Sequence, residues 1–176
     1  GYPLTLPCPA NVAPVIRSTQ EILISCKDKP RLLSMNSKNR SFEEYPLPVA
    51  LKQLLWKEQP IVYGVDQRDY VVKMDLESRS HDVLHEKSLA TALVSGSDDI
   101  FYGVDKDGNI VSLNSAGQVQ IVQKWFKGMG TGITAVAVSN ALFYLAVKVG
   151  KLIAIDRNQP PSVKFRVDLN VKQMML

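Results

Sequence analysis

Ile61-Val62-Tyr63-Gly64-Val65-Asp66 returns almost letter for letter as Ile100-Phe101-Tyr102-Gly103-Val104-Asp105. A third version reads Leu142-Phe143-Tyr144-Leu145-Ala146-Val147, and a degraded one opens at Ile22 with Ile22-Leu23-Ile24-Ser25-Cys26. Counted from Ile22, the starts are 39, 39 and 42 residues apart. A period of about 40 residues, with several strands per unit, marks architectures in which no unit buries its apolar surface alone.

Aligning the chain on these starts gives four strands per unit. A short apolar run precedes each start: Val15-Ile16, Leu54-Leu55, Leu93-Val94 and Ala135-Val136. The quoted phrase is the second strand. The third is Leu32 to Met35, Val71 to Met74, Ile110 to Leu113 and Leu152 to Ile155. A more polar fourth run follows: Phe42 to Leu47, Asp82 to Glu86, Val119 to Gln123 and Val163 to Val167. The second and third strands are nearly continuously apolar and rich in Val, Ile and Tyr, as in strands covered on both faces. The fourth alternates, as a half-exposed outer strand does. Turn residues lie between the second and third strands, with Asp107-Gly108 the strongest signal and Asp69 and Gly150 in the matching places. Asn36, Asp75, Asn114 and Asp156 close the third strands in register, and a short side-chain acceptor there can cap the turn that follows.

The expected fold is all-β: about four antiparallel four-stranded blades over units 15–48, 54–87, 93–126 and 135–168 of a single domain, 1–176. The pattern resembles β-propeller blades, in which stacking hides both faces of each sheet. The Gly-His and Trp-Asp pairs of WD repeats and the Gly-Gly pair of kelch blades do not occur. Tyr102 to Asn109 is similar to quinoprotein-type and tectonin-like blades, without the Trp that follows there. Tyr2-Pro3-Leu4-Thr5-Leu6 resembles the outer strand Tyr45-Pro46-Leu47-Pro48, and reads as the outer strand of a preceding blade. The chain would then be part of a larger propeller, completed by other residues or by self-association. One segment competes: Val49 to Glu58 has helix formers, with Leu51, Leu54 and Leu55 at helical spacing. Read that way, the fold is a β-sandwich with a short helix.

Composition narrows the function classes. The chain has 176 residues, 45% of them apolar, enough for a sizeable core. Twenty-one basic and 17 acidic residues leave a net charge of +4, too mild and too dispersed for a nucleic-acid surface. The densest basic run, Lys27, Lys29, Arg31, Lys38 and Arg40, reads as a solvated face. No run reaches the roughly 18 apolar residues of a bilayer span, and Gly1-Tyr2-Pro3-Leu4 shows no signal-peptide pattern. Cys8 and Cys26 are the only cysteines; the reading favours Cys26 as a small buried hydrophobe and an intracellular setting, cytoplasm or nucleus, with a Cys8–Cys26 bridge in a secreted protein as the alternative.

The motifs carry little chemistry. His81-Asp82-Val83-Leu84-His85 resembles a zincin helix, but on a strand two positions four apart sit about 13 Å from one another. Asp105 to Ile110 lacks the first and last ligands of a calcium loop. Gly128-Met129-Gly130-Thr131-Gly132 lacks the Lys and the helix of a phosphate cradle. No metal, cofactor or catalytic residue is assigned. The expected function is a non-catalytic interaction scaffold within an intracellular complex. Trp125, Phe126 and Lys127, on the glycine-rich crossover, are the protein-binding candidates, with Trp56 second. A carbohydrate-binding blade array and a propeller hydrolase or lyase are the alternatives.

Overall fold

A computed structural model describes residues 5–10, 14–18, 20–58, 60–124, 132–158 and 163–168. Among the described residues sixteen strands form four antiparallel four-stranded sheets, each built from consecutive strands. Blade 1 holds β1 (Val15–Ser18), β2 (Glu21–Ser25), β3 (Arg31–Asn36) and β4 (Phe42–Pro46). Blade 2 holds β5 (Leu51–Glu58), β6 (Ile61–Asp66), β7 (Val71–Asp75) and β8 (Ser80–Val83). Blade 3 holds β9 (Val94–Ser95), β10 (Phe101–Val104), β11 (Ile110–Leu113) and β12 (Val119–Gln123). Blade 4 holds β13 (Ile133–Val138), β14 (Leu142–Val147), β15 (Lys151–Asp156) and β16 (Val163–Asp168). Two compact units result, Gly1–Glu86 with blades 1 and 2, and Lys87–Leu176 with blades 3 and 4.

Within each unit one blade lays its trailing face on the leading face of the next. In the first unit Leu23, Leu32 and Tyr45 of blade 1 pack with Leu54, Val62, Val72 and Met74 of blade 2. In the second, Tyr102, Val104 and Ile110 of blade 3 pack with Phe143, Leu145, Ile153 and Ile155 of blade 4. The rings of Tyr102 and Phe143 meet edge on, with centroids 5.3 Å apart, an arrangement that suits their quadrupoles.

Two strand readings change, and the rival helix gives way to the strand that the repeat register places there. Val49 to Glu58 is no helix, for residues 51–58 are the strand β5. Its register shifts between Leu51 and Gln53. The extra residue puts Leu51 and Leu54, three apart, on one face, where both join the blade 1 contact. A bulged strand thus imitates helical spacing. In blade 1 the second strand begins at Glu21, not Ile22. Its hairpin spans residues 26–31, one residue longer than 66–70 and 105–109 in blades 2 and 3. That residue exchanges the faces of β2: Leu23, not Ile24, takes the place of Tyr102. The outer strand of blade 2 is Ser80–Val83, earlier than the expected Asp82 to Glu86.

Turn chemistry follows the register. Asp69, Gly108 and Gly150 all take the left-handed conformation, with φ of 72°, 88° and 73°. The four Asx residues cap the following turns. Asn36 Oδ1 accepts from Lys38 N, Asp75 Oδ1 from Glu77 N, Asn114 Oδ1 from Ala116 N and Asp156 Oδ1 from Asn158 N, at 2.9–3.0 Å. The Asp75 carboxyl is held below the usual range, chiefly by hydrogen bonds from Ser78.

The cysteines also differ from expectation. Cys8 and Cys26 form a disulfide. The segment before β1 lies along the end of β2, with an antiparallel bridge of Ala10 to Cys26 and Lys27 N donating to Pro9 O. Leu89 bridges Asp105 in the same way ahead of β9. Residues 8–10 thus lead into blade 1; most of Tyr2 to Leu6, expected as the outer strand of a preceding blade, lies outside the described residues. Leu6 and Cys8 cover Ile24 and Leu33 on the leading face of blade 1.

At one end of blades 3 and 4, Arg157 clasps the pair. Its guanidinium donates to Asp98 Oδ2 at 2.7 Å, Tyr102 Oη at 2.6 Å and Ser139 O at 2.8 Å. It also lies over the Tyr102 and Phe143 rings, at 4.9 and 5.4 Å.

Two stability predictions come from these ties. Cys8 and Cys26 are 18 residues apart. Closing a loop of that size removes enough chain entropy to be worth about 3 kcal/mol. Reduction, or Cys8→Ser with Cys26→Ser, should lower stability by about that much in urea unfolding; an unchanged midpoint would show the bridge idle. Removing Arg157 strands Asp98, but the Asp98 side chain is 36% exposed and water screens part of the pair. Arg157→Ala should therefore cost about 2 kcal/mol rather than the 3–5 of a fully buried pair, read from the same unfolding curves.

Candidate functional site

Trp125, Phe126 and Lys127 lie outside the described residues, as do the first four residues of the Gly128–Gly132 run. The frame that carries them is defined. On one side β12 ends at Gln123, opposite Ile110 at the start of β11. The Gln123 side chain is buried, and its Nε2 donates to Asp156 O at 2.6 Å, tying this outer strand to blade 4. On the other side Gly132 O accepts from Lys148 N at 2.7 Å, and β13 begins opposite Val147. Both ends of the crossover are thus held by hydrogen bonds.

The crossover leaves blade 3 at the end that bears the β10–β11 hairpin. It enters blade 4 at the end that bears the β14–β15 hairpin. Val149, on the latter hairpin, is 71% exposed, the large apolar side chain most open to water among the described residues of this unit. Lys148 next to it, and Lys124 after the end of β12, are exposed. Lys87 pairs with Asp107 at 3.2 Å, both well exposed. Asp105 is wholly buried and accepts from Asn109 N at 2.8 Å, which stiffens the hairpin. Among the described residues the exposed charge at this end is predominantly cationic, and Val122 and Val149 are exposed apolar side chains on the flanking elements. Trp56 is on β5, its backbone opposite Val62; its side chain lies outside the described residues.

The other motifs are structural where they are described. His81 is on β8 and His85 beyond its end, so the two do not share a helical face. Asp105 to Asn109 is a hairpin turn whose carboxylate is spent on Asn109. Asp66 does the same work in blade 2, accepting from Arg68 N and Tyr70 N. Cys8, Cys26 and Asp28 come within metal-binding distance of one another. The two sulfurs are bonded to each other, and Asp28 accepts from Arg31 Nη2; a disulfide sulfur is not the thiolate that ligates metal. The basic run is likewise divided. Arg31 pairs with Asp28 and Glu44, and Lys38 and Arg40 belong to the opposite turn.

Two clusters escaped sequence reasoning. A polar cleft of about 340 Å³ opens on blade 1 among Glu21, Ser34, Asn36, Phe42 and Glu43. Ser34 Oγ donates to Glu21 there, without an imidazole between them to relay a proton. In the Asp98–Tyr102–Arg157 cluster, burial pushes the Asp98 carboxyl up, but hydrogen bonds from Arg157 and Tyr102 outweigh it and the net shift is downward. Burial, reinforced by the bond to Asp98, raises the Tyr102 phenol. A stabilised carboxylate beside a stabilised phenol is poor acid–base equipment and good mortar. No local spacing announces it, for Arg157 meets residues 55 and 59 positions earlier.

No family model matches the chain, and no curated protein matches it in sequence. Solved structures do. BamB from Moraxella catarrhalis is 12% identical with a TM-score of 0.57, over 88% of this chain and 49% of that one. Apo AztD from Citrobacter koseri is 17% identical with a TM-score of 0.62, over 93% and 48%. A chain in the Saccharomyces cerevisiae complex of Dbp5 bound to Nup159 and Gle1 is 13% identical with a TM-score of 0.66, over 92% and 50%. The chain spans about half the length of each. These are β-propeller proteins, and the chain itself is an array of β-propeller blades, four antiparallel sheets of four strands each.

Proposed function

We propose that this chain is a non-catalytic propeller-type scaffold that binds another protein through the blade end carrying the 124–132 crossover. The observation that carries this reading is the crossover's frame: two hydrogen-bonded ends, through Gln123 and Gly132, beside the exposed Val149 and the exposed Lys124 and Lys148. A segment with fixed ends loses less freedom on binding, so aromatic anchors on it convert more of their contact into affinity. Trp125 and Phe126 are the anchors in this reading, with Lys127, Lys124 and Lys148 favouring an acidic rim on the partner. One of the similar structures is itself a complex, of Dbp5 with Nup159 and Gle1. Tyr63 and Tyr102, which recur from blade to blade, are buried in packing and are not available as sugar platforms.

The compartment turns on Cys8–Cys26. A bridge of this kind persists where the surroundings oxidise, and it supports such a compartment over the cytoplasm or nucleus expected from the cysteine count. Alkylation of the native protein without reductant tests this, since modified Cys8 and Cys26 would restore the intracellular reading.

Trp125→Ala with Phe126→Ala should weaken capture of the wild-type partner by about thirtyfold or more, the loss of a hot spot of about 2 kcal/mol. The thermal midpoint should move by only about 1–2 °C. Loss of capture accompanied by unfolding would make the rings core residues and overturn the assignment.

A further inference from the structure

In every sheet the described strands run in chain order, so β4, β8, β12 and β16 each have a strand neighbour on one side only. Such an edge offers unpaired N–H and C=O groups to any extended chain, and proteins guard it with charge, proline or shortness. Three of the four are guarded in that way. β4 carries Glu43, Glu44 and Pro46, all exposed. β8 has four residues and includes Asp82. β16 reads Val-Lys-Phe-Arg-Val-Asp. β12 differs: Val119-Gln120-Ile121-Val122-Gln123 holds neither charge nor proline, and no charged residue occurs between Asp107 and Lys124. Ile121 and Val122 are 46% and 42% exposed.

Register decides which backbone groups face outward. Val119, Gln120 and Ile121 lie opposite Leu113, Ser112 and Val111. Asn114 N donates to Gln118 O at 3.1 Å, so Asn114 and Gln118 face each other at a bonded position. Bonded and non-bonded pairs alternate along an antiparallel ladder. Gln120 is therefore bonded to Ser112, and the N–H and C=O of Val119 and Ile121 point away from β11. The register shift between Ile110 and Val111 makes Val122 the extra residue of a bulge, beyond this regular run. Three residues thus present two donors and two acceptors to the open side.

We infer that β12 pairs with β12 of a second copy, antiparallel and centred on Gln120. In that register Val119 of each copy lies opposite Ile121 of the other, and the two pairs exchange four backbone hydrogen bonds. Gln120 lies opposite Gln120 at the non-bonded position, where side chains are closest. Apolar side chains meet apolar ones on one face and amide meets amide on the other, the matching that stabilises a ladder. A charged strand would set its charge beside Val119 or Ile121 without a partner, whereas a second copy brings none. The pairing is isologous and uses up the edge that makes it, so it stops at two copies. It calls on neither Trp125 nor Phe126 and stands independently of the crossover reading. A strand of five residues gives a contact of the weak class, below about 1,200 Å².

Sedimentation equilibrium of the 176-residue chain should show monomer and dimer exchanging at about 0.1–1 mM. Ile121→Lys alters an exposed side chain, so the far-UV circular dichroism should stay unchanged while the dimer weakens about tenfold or more. Cys8 and Cys26 are bonded to each other, so an introduced cysteine is the one free thiol. Gln120→Cys should oxidise to a covalent dimer. Gln118→Cys, also at an exposed position, should not, because its two copies would lie about 13 Å apart along the strands. A chain still monomeric at about 1 mM overturns the inference, whatever other strand the edge accepts. So does a dimer indifferent to Ile121→Lys, one that crosslinks as readily through Gln118→Cys as through Gln120→Cys, or growth into open fibres.

Discussion

A sheet that is apolar on both sides must hide two surfaces, and in this chain sheets do so chiefly against one another. At roughly 25 cal/mol per Å² of apolar area removed from water, one uncovered face of a few hundred Å² costs several kcal/mol, comparable to the whole stability of a domain. The contact of Leu23, Leu32 and Tyr45 with Val62, Val72 and Met74 is one solution, and that of Tyr102, Val104 and Ile110 with Phe143, Leu145 and Ile155 is the other. The first blade adds a third device. Its opening segment folds over Ile24 and Leu33 and is fastened by Cys8–Cys26.

Much of this was written in the second and third strands. A continuous run such as Val62 to Val65 has no polar side to give to water, so covered faces follow from composition. The Asx residues were readable for a related reason. Asn36, Asp75, Asn114 and Asp156 each have to satisfy the same turn, and the geometry of a hairpin leaves one place from which a short acceptor can reach it.

What failed to show itself was decided by single residues or by distant partners. The extra residue in the 26–31 hairpin exchanges the faces of β2 without changing its hydrophobicity, because Leu23 and Ile24 are equally apolar. The bulge beside Leu51 spaces leucines as a helix would. The Cys8–Cys26 pair depends on how the opening segment lies along β2, which two cysteines 18 residues apart do not specify. Of the candidate site, the crossover was visible as a glycine-rich interruption after two aromatics. Its anchoring was not, since Gln123 finds its carbonyl 33 residues further on.

Where the repeat is kept, its polar groups are consumed in keeping it. Asp66 and Asp105 are buried in their own hairpins, Asp75 and Asn114 cap the turns that follow their strands, and Asp98 is held by Arg157 and Tyr102. Groups so engaged have little left for a ligand. The places that depart from the pattern are the lengthened crossover between blades 3 and 4 and the long hairpin and opening segment of blade 1. A repeat protein gains specificity by breaking its own rule locally, because each break removes a residue from the packing that fixes its neighbours.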